Sequence, residues 1–152
     1  MIYLISFIVF ILDLLTKSWA VSALTFGVPK FIFPFFNLTL VGNPGISFSM
    51  LTADDKTGVW FLILLAMAIC ALIIYMIQKE KDTFSRIAMA MVLGGAIGNI
   101  WDRIQYGFVI DFLDFHWERY HFPAFNLADS FICIGIGLLM IKMFIKKEKK
   151  NA

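Results

Sequence analysis

The chain has 152 residues, 61% of them hydrophobic, with a formal net charge of +2 and a mean hydropathy of +0.84. Soluble domains of this size are about 45–50% apolar, so the excess, gathered in long blocks, excludes an ordinary water-soluble domain and points to a membrane protein. The small net charge leaves no electrostatic footprint for nucleic acid. Cys70 and Cys133 lie in apolar blocks without paired spacing, so neither a zinc site nor a disulfide framework is indicated.

A membrane-crossing helix needs about 20 mostly apolar residues, and four segments qualify. The first covers residues 2–24 and is interrupted by Asp13 and Lys17. It has no basic leading region and a poor cleavage pattern, so it reads as a retained helix rather than a signal peptide. Residues 28–50, VPKFIFPFFNLTLVGNPGISFSM, follow. They are rich in Phe, Ile, Leu and Thr and punctuated by Pro34 and Asn43-Pro44-Gly45, which reads as short strands joined by turns. Such an apolar, strand-like loop is expected to lie on the bilayer surface as a platform. The remaining spans cover residues 58–77, 84–101 and 125–145, all within one integral membrane domain of residues 1–152.

Four spans put both termini on one side of the membrane. That side carries Lys79, Lys81, Arg86, Lys142, Lys146, Lys147, Lys149 and Lys150, against Lys30, Lys56, Arg103 and Arg119 opposite. The positive-inside rule then places both termini in the cytoplasm and the loops at 25–57 and 102–124 outside. Trp117, Tyr120, His116 and His121 suit the headgroup level, where amphipathic rings gather.

Ionisable side chains in or beside spans are costly, which invites a functional reading. Asp13 and Lys17, spaced i, i+4, can pair on one helix face; a structural ion pair between helices is the plainer role. In GGAIGNIWDR, residues 94–103, the glycines read as close helix packing, whereas Asn99 and Asp102 share a face near the aqueous end and can orient other groups. In FNLADS, residues 125–130, Asn126 is a good N-cap and Asp129 falls in the first helical turn, which helix capping alone would explain. In VIDF, residues 109–112, Asp111 sits between apolar neighbours. The case for chemistry rests on the pair Asp111 and Asp129, which the topology brings to one membrane face. Two carboxyl groups held close cannot both ionise easily, so one serves as base while the other keeps a proton. No GxSxG, HExxH or P-loop pattern is present. Ser47 and Ser49 lie near Lys56 without further support for a Ser–Lys dyad.

The order DLLTK (13–17), NPGISFS (43–49), GGAIGNIWDR (94–103), GFVIDF (107–112) and FPAFNLAD (122–129) resembles the lipoprotein signal peptidases, also called signal peptidase II. The resemblance covers nearly the whole chain. It implies a bacterial inner-membrane aspartyl endopeptidase that removes signal peptides from diacylglyceryl-modified prolipoproteins, cutting just before the lipidated cysteine. It also implies four transmembrane helices with a small extracytoplasmic β-cradle. Carried over by position, Asp111 and Asp129 look like the catalytic dyad. Asn43, Gly45, Asn99, Arg103 and Asn126 look like substrate or dyad supports, and Asp13, Lys17 and Asp102 like structural or orienting positions. Ile46 and Ser47 stand where the family often has Ala, which bears on the shape of the substrate groove. No metal or cofactor is expected, the expected partners are prolipoproteins and membrane lipids, and the chain is expected to act as a monomer.

Three other readings predict different things. A proton- or cation-coupled transporter would use Asp13, Asp102 and Asp129 as relays, but such proteins show repeated halves and midplane sites. A non-enzymatic assembly factor would bind prolipoprotein without cutting it. A metal-dependent hydrolase would use His116, His121 and the Asp cluster.

Overall fold

A computed structural model describes residues 1–45 and 56–151. Four helices carry the chain: α1 (Ile2–Ala23), α2 (Lys56–Lys79), α3 (Thr83–Tyr106) and α4 (Leu127–Asn151). Each includes a stretch long and apolar enough to cross a membrane. At α3 both boundaries have a local cause. Asp82 caps its start by accepting the Ser85 N–H at 2.7 Å. Gly107 stops it in the left-handed conformation, φ 80°, with its N–H on the Arg103 carbonyl at 3.1 Å. The sequence places the end of this span at residue 101. The helix runs a further turn, to Tyr106, so Asp102 and Arg103 stand on a helix rather than opening a loop.

α3 packs against all three other helices, and its glycines make the close approaches possible. A β-carbon on Gly94 would lie 2.5 Å from the Ser6 carbonyl of α1, and one on Gly95 2.5 Å from the Ala128 carbonyl of α4. Gly98 abuts the Asp13 carboxylate. Ser6 also donates its hydroxyl to the Ala90 carbonyl at 2.8 Å. In lipid, where burial of apolar surface gives helices little reason to associate, such contacts hold a bundle together. Gly94→Ala should therefore force α1 from α3 and destabilise the fold by about 1–3 kcal/mol, read as a lower thermal unfolding midpoint in detergent. The α2–α3 seam is apolar, with Ile63, Cys70, Ile73 and Ile77 against Met89, Ala90, Leu93 and Ile100.

Beyond one end of the helices lies a four-stranded antiparallel sheet in the order β1-β2-β3-β4. Its strands are β1 (Lys30–Phe33), β2 (Phe36–Asn43), β3 (Val109–Trp117) and β4 (Tyr120–His121). Leu40, Ile110 and Phe112 cluster on Ala20, fixing the sheet to the last turn of α1. The first two strands fall in the region read as strands from sequence; residues 46–50 of that run, with Ser47 and Ser49, lie outside the described residues. β3 and β4 fall where sequence placed a plain loop. The alternation that marks a strand is broken in VIDFLDFHW because Asp111 and Asp114, three apart, are both buried.

The register carries one irregularity that matters for the site. Leu38 faces Leu113 and Val41 faces Asp111, so β2 holds one extra residue, a bulge. On its other side, ahead of the pairing with β4, the middle of β3 is bound by Phe125. Its carbonyl accepts from the N–H groups of Phe112 and Leu113, at 3.1 and 2.9 Å, and its N–H donates to the Leu113 carbonyl at 3.1 Å. The next residue, Asn126, is thereby delivered beside Asp111.

Candidate active site

Asp111 stands in the middle of β3 and is 1% exposed. Its Oδ1 accepts from Asn126 Nδ2 at 2.7 Å and its Oδ2 from Asn43 Nδ2 at 3.0 Å. Gly45 donates its N–H to Asn43 Oδ1 at 3.2 Å, which turns the Asn43 amide so that its NH₂ group faces Asp111. Burial, and then the neighbouring charge of Asp129, push the Asp111 carboxyl up to about 7, against the opposing pull of the Asn43 and Asn126 hydrogen bonds.

Asp129 sits in the first turn of α4 and is only partly buried. Its N–H donates to Asn126 Oδ1 at 2.9 Å, while its Oδ2 accepts the Asn126 N–H at 3.3 Å, a reciprocal cap. Its Oδ1 accepts from Asn99 Nδ2 at 2.7 Å. Asn126 thus touches both aspartates, holding Asp111 through its side chain and Asp129 through its cap.

A buried lysine underlies this arrangement. The Lys17 ammonium lies 2.7 Å from Asp13 Oδ2 and 2.8 Å from Asp102 Oδ2, and it donates to Asn99 Oδ1 at 3.1 Å. Because ammonium only donates and carboxylate only accepts, the Asn99 amide has one consistent orientation, carbonyl toward Lys17 and NH₂ toward Asp129. The acids are anchored in turn. Asp13 Oδ1 accepts the Ala128 N–H at 2.9 Å, tying α1 to the start of α4. Asp102 Oδ2 accepts the Ile110 N–H at 3.0 Å, tying α3 to the residue before Asp111. Arg103 donates to the Asn99 carbonyl at 3.1 Å and interacts electrostatically with Asp129, Asp102 and Asp111. Its buried Nε has no hydrogen-bond partner among the described residues.

All ten positions singled out from sequence therefore fall in one connected region: Asn43 and Gly45 at the end of β2, Asp13 and Lys17 on α1, Asn99, Asp102 and Arg103 on α3, Asp111 on β3, and Asn126 and Asp129 at the start of α4. The two histidines stand apart from it. His116 and His121 stack with ring centroids 4.9 Å apart, and His121 Nδ1 meets Asp114 Oδ1 at 2.7 Å. Thr39 donates to the other Asp114 oxygen at 2.7 Å. Burial would raise the Asp114 carboxyl, but the hydrogen bonds from His121 and Thr39 prevail and hold it below the usual range. The sequence groups His116 and His121 with nearby Asp residues, but it gives no sign of the Thr39 contact to Asp114. Thr39 and Asp114 are far apart in the chain and meet only because β2 and β3 pair.

Comparison with known proteins agrees with this architecture. The family described as Signal peptidase (SPase) II matches residues 5–145. A protein of Aeromonas hydrophila named lipoprotein signal peptidase is 46% identical over 145 residues, covering 93% of this chain and 87% of that one. A protein of the same name from Shewanella loihica is 40% identical over 151 residues, covering 98% and 89%. A bacterial membrane enzyme solved by the in meso method at 2.3 Å resolution superposes with a TM-score of 0.85 at 30% identity, covering 97% of this chain and 89% of that one. A second bacterial membrane enzyme, solved at 1.9 Å, gives a TM-score of 0.81 at 31% identity, covering 92% and 90%. The chain belongs to the signal peptidase II family.

Proposed function

We propose that Asp111 and Asp129 are the catalytic dyad of this aspartic peptidase, and that Asn43, Gly45, Asn99, Arg103 and Asn126 position the dyad and the substrate. The chain removes signal peptides from prolipoproteins, and the bond cut is the one before the diacylglyceryl-modified cysteine. The observation that carries the dyad reading is Asn126, which hydrogen-bonds Asp111 and caps Asp129 at once. In this reading Asp111, raised to about 7, keeps a proton and donates it to the scissile carbonyl oxygen. Asp129, the more accessible of the two, takes a proton from the attacking water. The tetrahedral intermediate then collapses as that proton passes to the leaving nitrogen and the proton on the former carbonyl oxygen returns to Asp111. The unpartnered Arg103 Nε is suited to a substrate carbonyl.

The proposal has a pH signature. A raised carboxyl loses its proton only as pH climbs through its folded value, so turnover should fall as pH rises through about 7. A rate that keeps rising to pH 9 would show that no protonated Asp111 is needed. The test of function is reconstitution in liposomes with a diacylglyceryl-modified prolipoprotein, an unmodified control and excess chelator. Cleavage of the lipidated substrate alone, unaffected by chelator, is expected. Cleavage abolished by chelator would instead favour a metal-dependent hydrolase.

The topology proposed with it is one peptidase domain acting as a monomer in lipid, both termini cytoplasmic and the sheet outside. The lysine-rich end of α4 and the Lys79–Arg86 link support it by the positive-inside rule. Cysteine introduced at Trp117 should react with an impermeant maleimide added outside intact cells. Protection there, with labelling only after lysis, would invert the assignment.

A further inference from the structure

Between α1 and α3, at the end nearer the sheet, a cleft of about 300 Å³ opens on the outer surface of the helices. It is lined by Leu14, Leu15, Val21, Trp101 and Tyr106, and it reaches Lys17 and Asp102, which are 2% and 1% exposed. Leu15, Val21, Trp101 and Tyr106 are each more than 40% exposed, so the walls are free surface. Buried charges beneath an apolar, open cleft are unusual enough to ask what the cleft receives.

The hydrogen-bonding inventory answers that. Lys17 is ion-paired with Asp13 and Asp102 and donates to Asn99, so its charge is already matched. Asp102 is different. Its Oδ2 serves both Lys17 and the Ile110 N–H. Its Oδ1 receives no hydrogen bond from any described residue, yet it belongs to a side chain that lines the cleft. The floor therefore includes a carboxyl oxygen with no donor among the described residues, and two carboxyl groups there share one ammonium. The complement is a cationic hydrogen-bond donor carried on an apolar body. The indole of Trp101 and the phenol of Tyr106 at the mouth place that body at the headgroup level.

We propose that this cleft is a binding site for a primary-amine phospholipid, its ammonium on Asp102 Oδ1 and an acyl chain along Leu14, Leu15 and Val21. The site lies on the α1–α3 side and adjoins the Asp111 network through Asp102 and Ile110, and the proposal holds whether or not Asp111 and Asp129 are catalytic. Occupancy would complete the hydrogen bonding of the residue that anchors both Lys17 and the strand before Asp111.

The test is native mass spectrometry of the purified protein titrated with three lipids of matched chains. A phosphatidylethanolamine has both charge and N–H donors, a phosphatidylcholine has the charge without the donors, and a phosphatidylglycerol has donors without the cation. One phosphatidylethanolamine should bind at least tenfold more tightly than either of the others. Leu15→Trp and Val21→Phe, which fill the cleft from exposed positions, should each remove that preference in protein that remains monodisperse. Equal binding of the three lipids, or a preference that survives both fillers, would overturn the proposal. Tighter binding of phosphatidylglycerol would overturn the cationic ligand.

Discussion

Asp111→Asn and Asp129→Asn should each lower cleavage of a lipidated prolipoprotein by about a thousandfold, within the range lost when a proton-transfer group is removed. Both replacements keep the shape of the side chain and a carbonyl oxygen. The remaining oxygen can keep one hydrogen bond at each site, from Asn126 or Asn43 at position 111 and from Asn99 at position 129, and the protein should stay folded. Substantial turnover by either variant at normal expression would end the dyad assignment. The two should differ in stability. Asp111 is raised to about 7 in the folded protein, from an ordinary value near 4. Ionising it therefore costs folding free energy that appears above pH 4 and is complete once pH passes 7. The neutral Asn escapes that cost, so Asp111→Asn should unfold at a higher temperature than the parent above pH 7. The advantage should vanish near pH 4. An inactive variant that is also less stable at pH 8 would mean the Asp111 carboxylate is held for structure rather than chemistry.

Lys17→Ala should be the most damaging change to the fold itself. It leaves Asp13 and Asp102, 0% and 1% exposed, facing one another without their shared cation. Removing one partner of a buried ion pair typically costs about 3–5 kcal/mol, a large part of the stability of a small domain. The protein should fail to accumulate. Adding Asp102→Asn removes one of the stranded charges, so the double variant should accumulate better than Lys17→Ala alone. It should still cleave poorly, because Asn99 Oδ1 has lost one of its two donors and keeps only Asn126 Nδ2 to hold the amide toward Asp129. A Lys17→Ala protein that accumulates normally but is inactive would point to direct substrate contact instead.

Much of this is legible in the sequence because it is local. The helical spacing of Asp13 and Lys17 foretells their pairing, and the spacing of Asn126 and Asp129 foretells a cap. The hydropathic blocks foretell four helices. What is not legible depends on long-range pairing. Nothing near Asp102 announces that it shares Lys17 with Asp13, since the two acids come from different helices. β3 is obscured by its buried acids: a strand that buries Asp111 and Asp114 no longer alternates. The sequence puts the end of α3 a turn early because Asp102 and Arg103 look like the start of an aqueous loop, whereas the helix continues through them to Tyr106, with Asp102 paired to Lys17.

The bond from Ala128 to Asp13 joins nearly the first and nearly the last structured parts of the chain. During synthesis α1 enters the membrane long before α4 leaves the ribosome. Until α4 arrives, Asp13 lacks that partner, Asn99 has no Asp129 to hold, and Asp111 has no Asn126 beside it. A nascent or truncated chain therefore lacks the arrangement of Asp111, Asn126 and Asp129 proposed as the hydrolytic site, and that arrangement forms only when the last helix has docked.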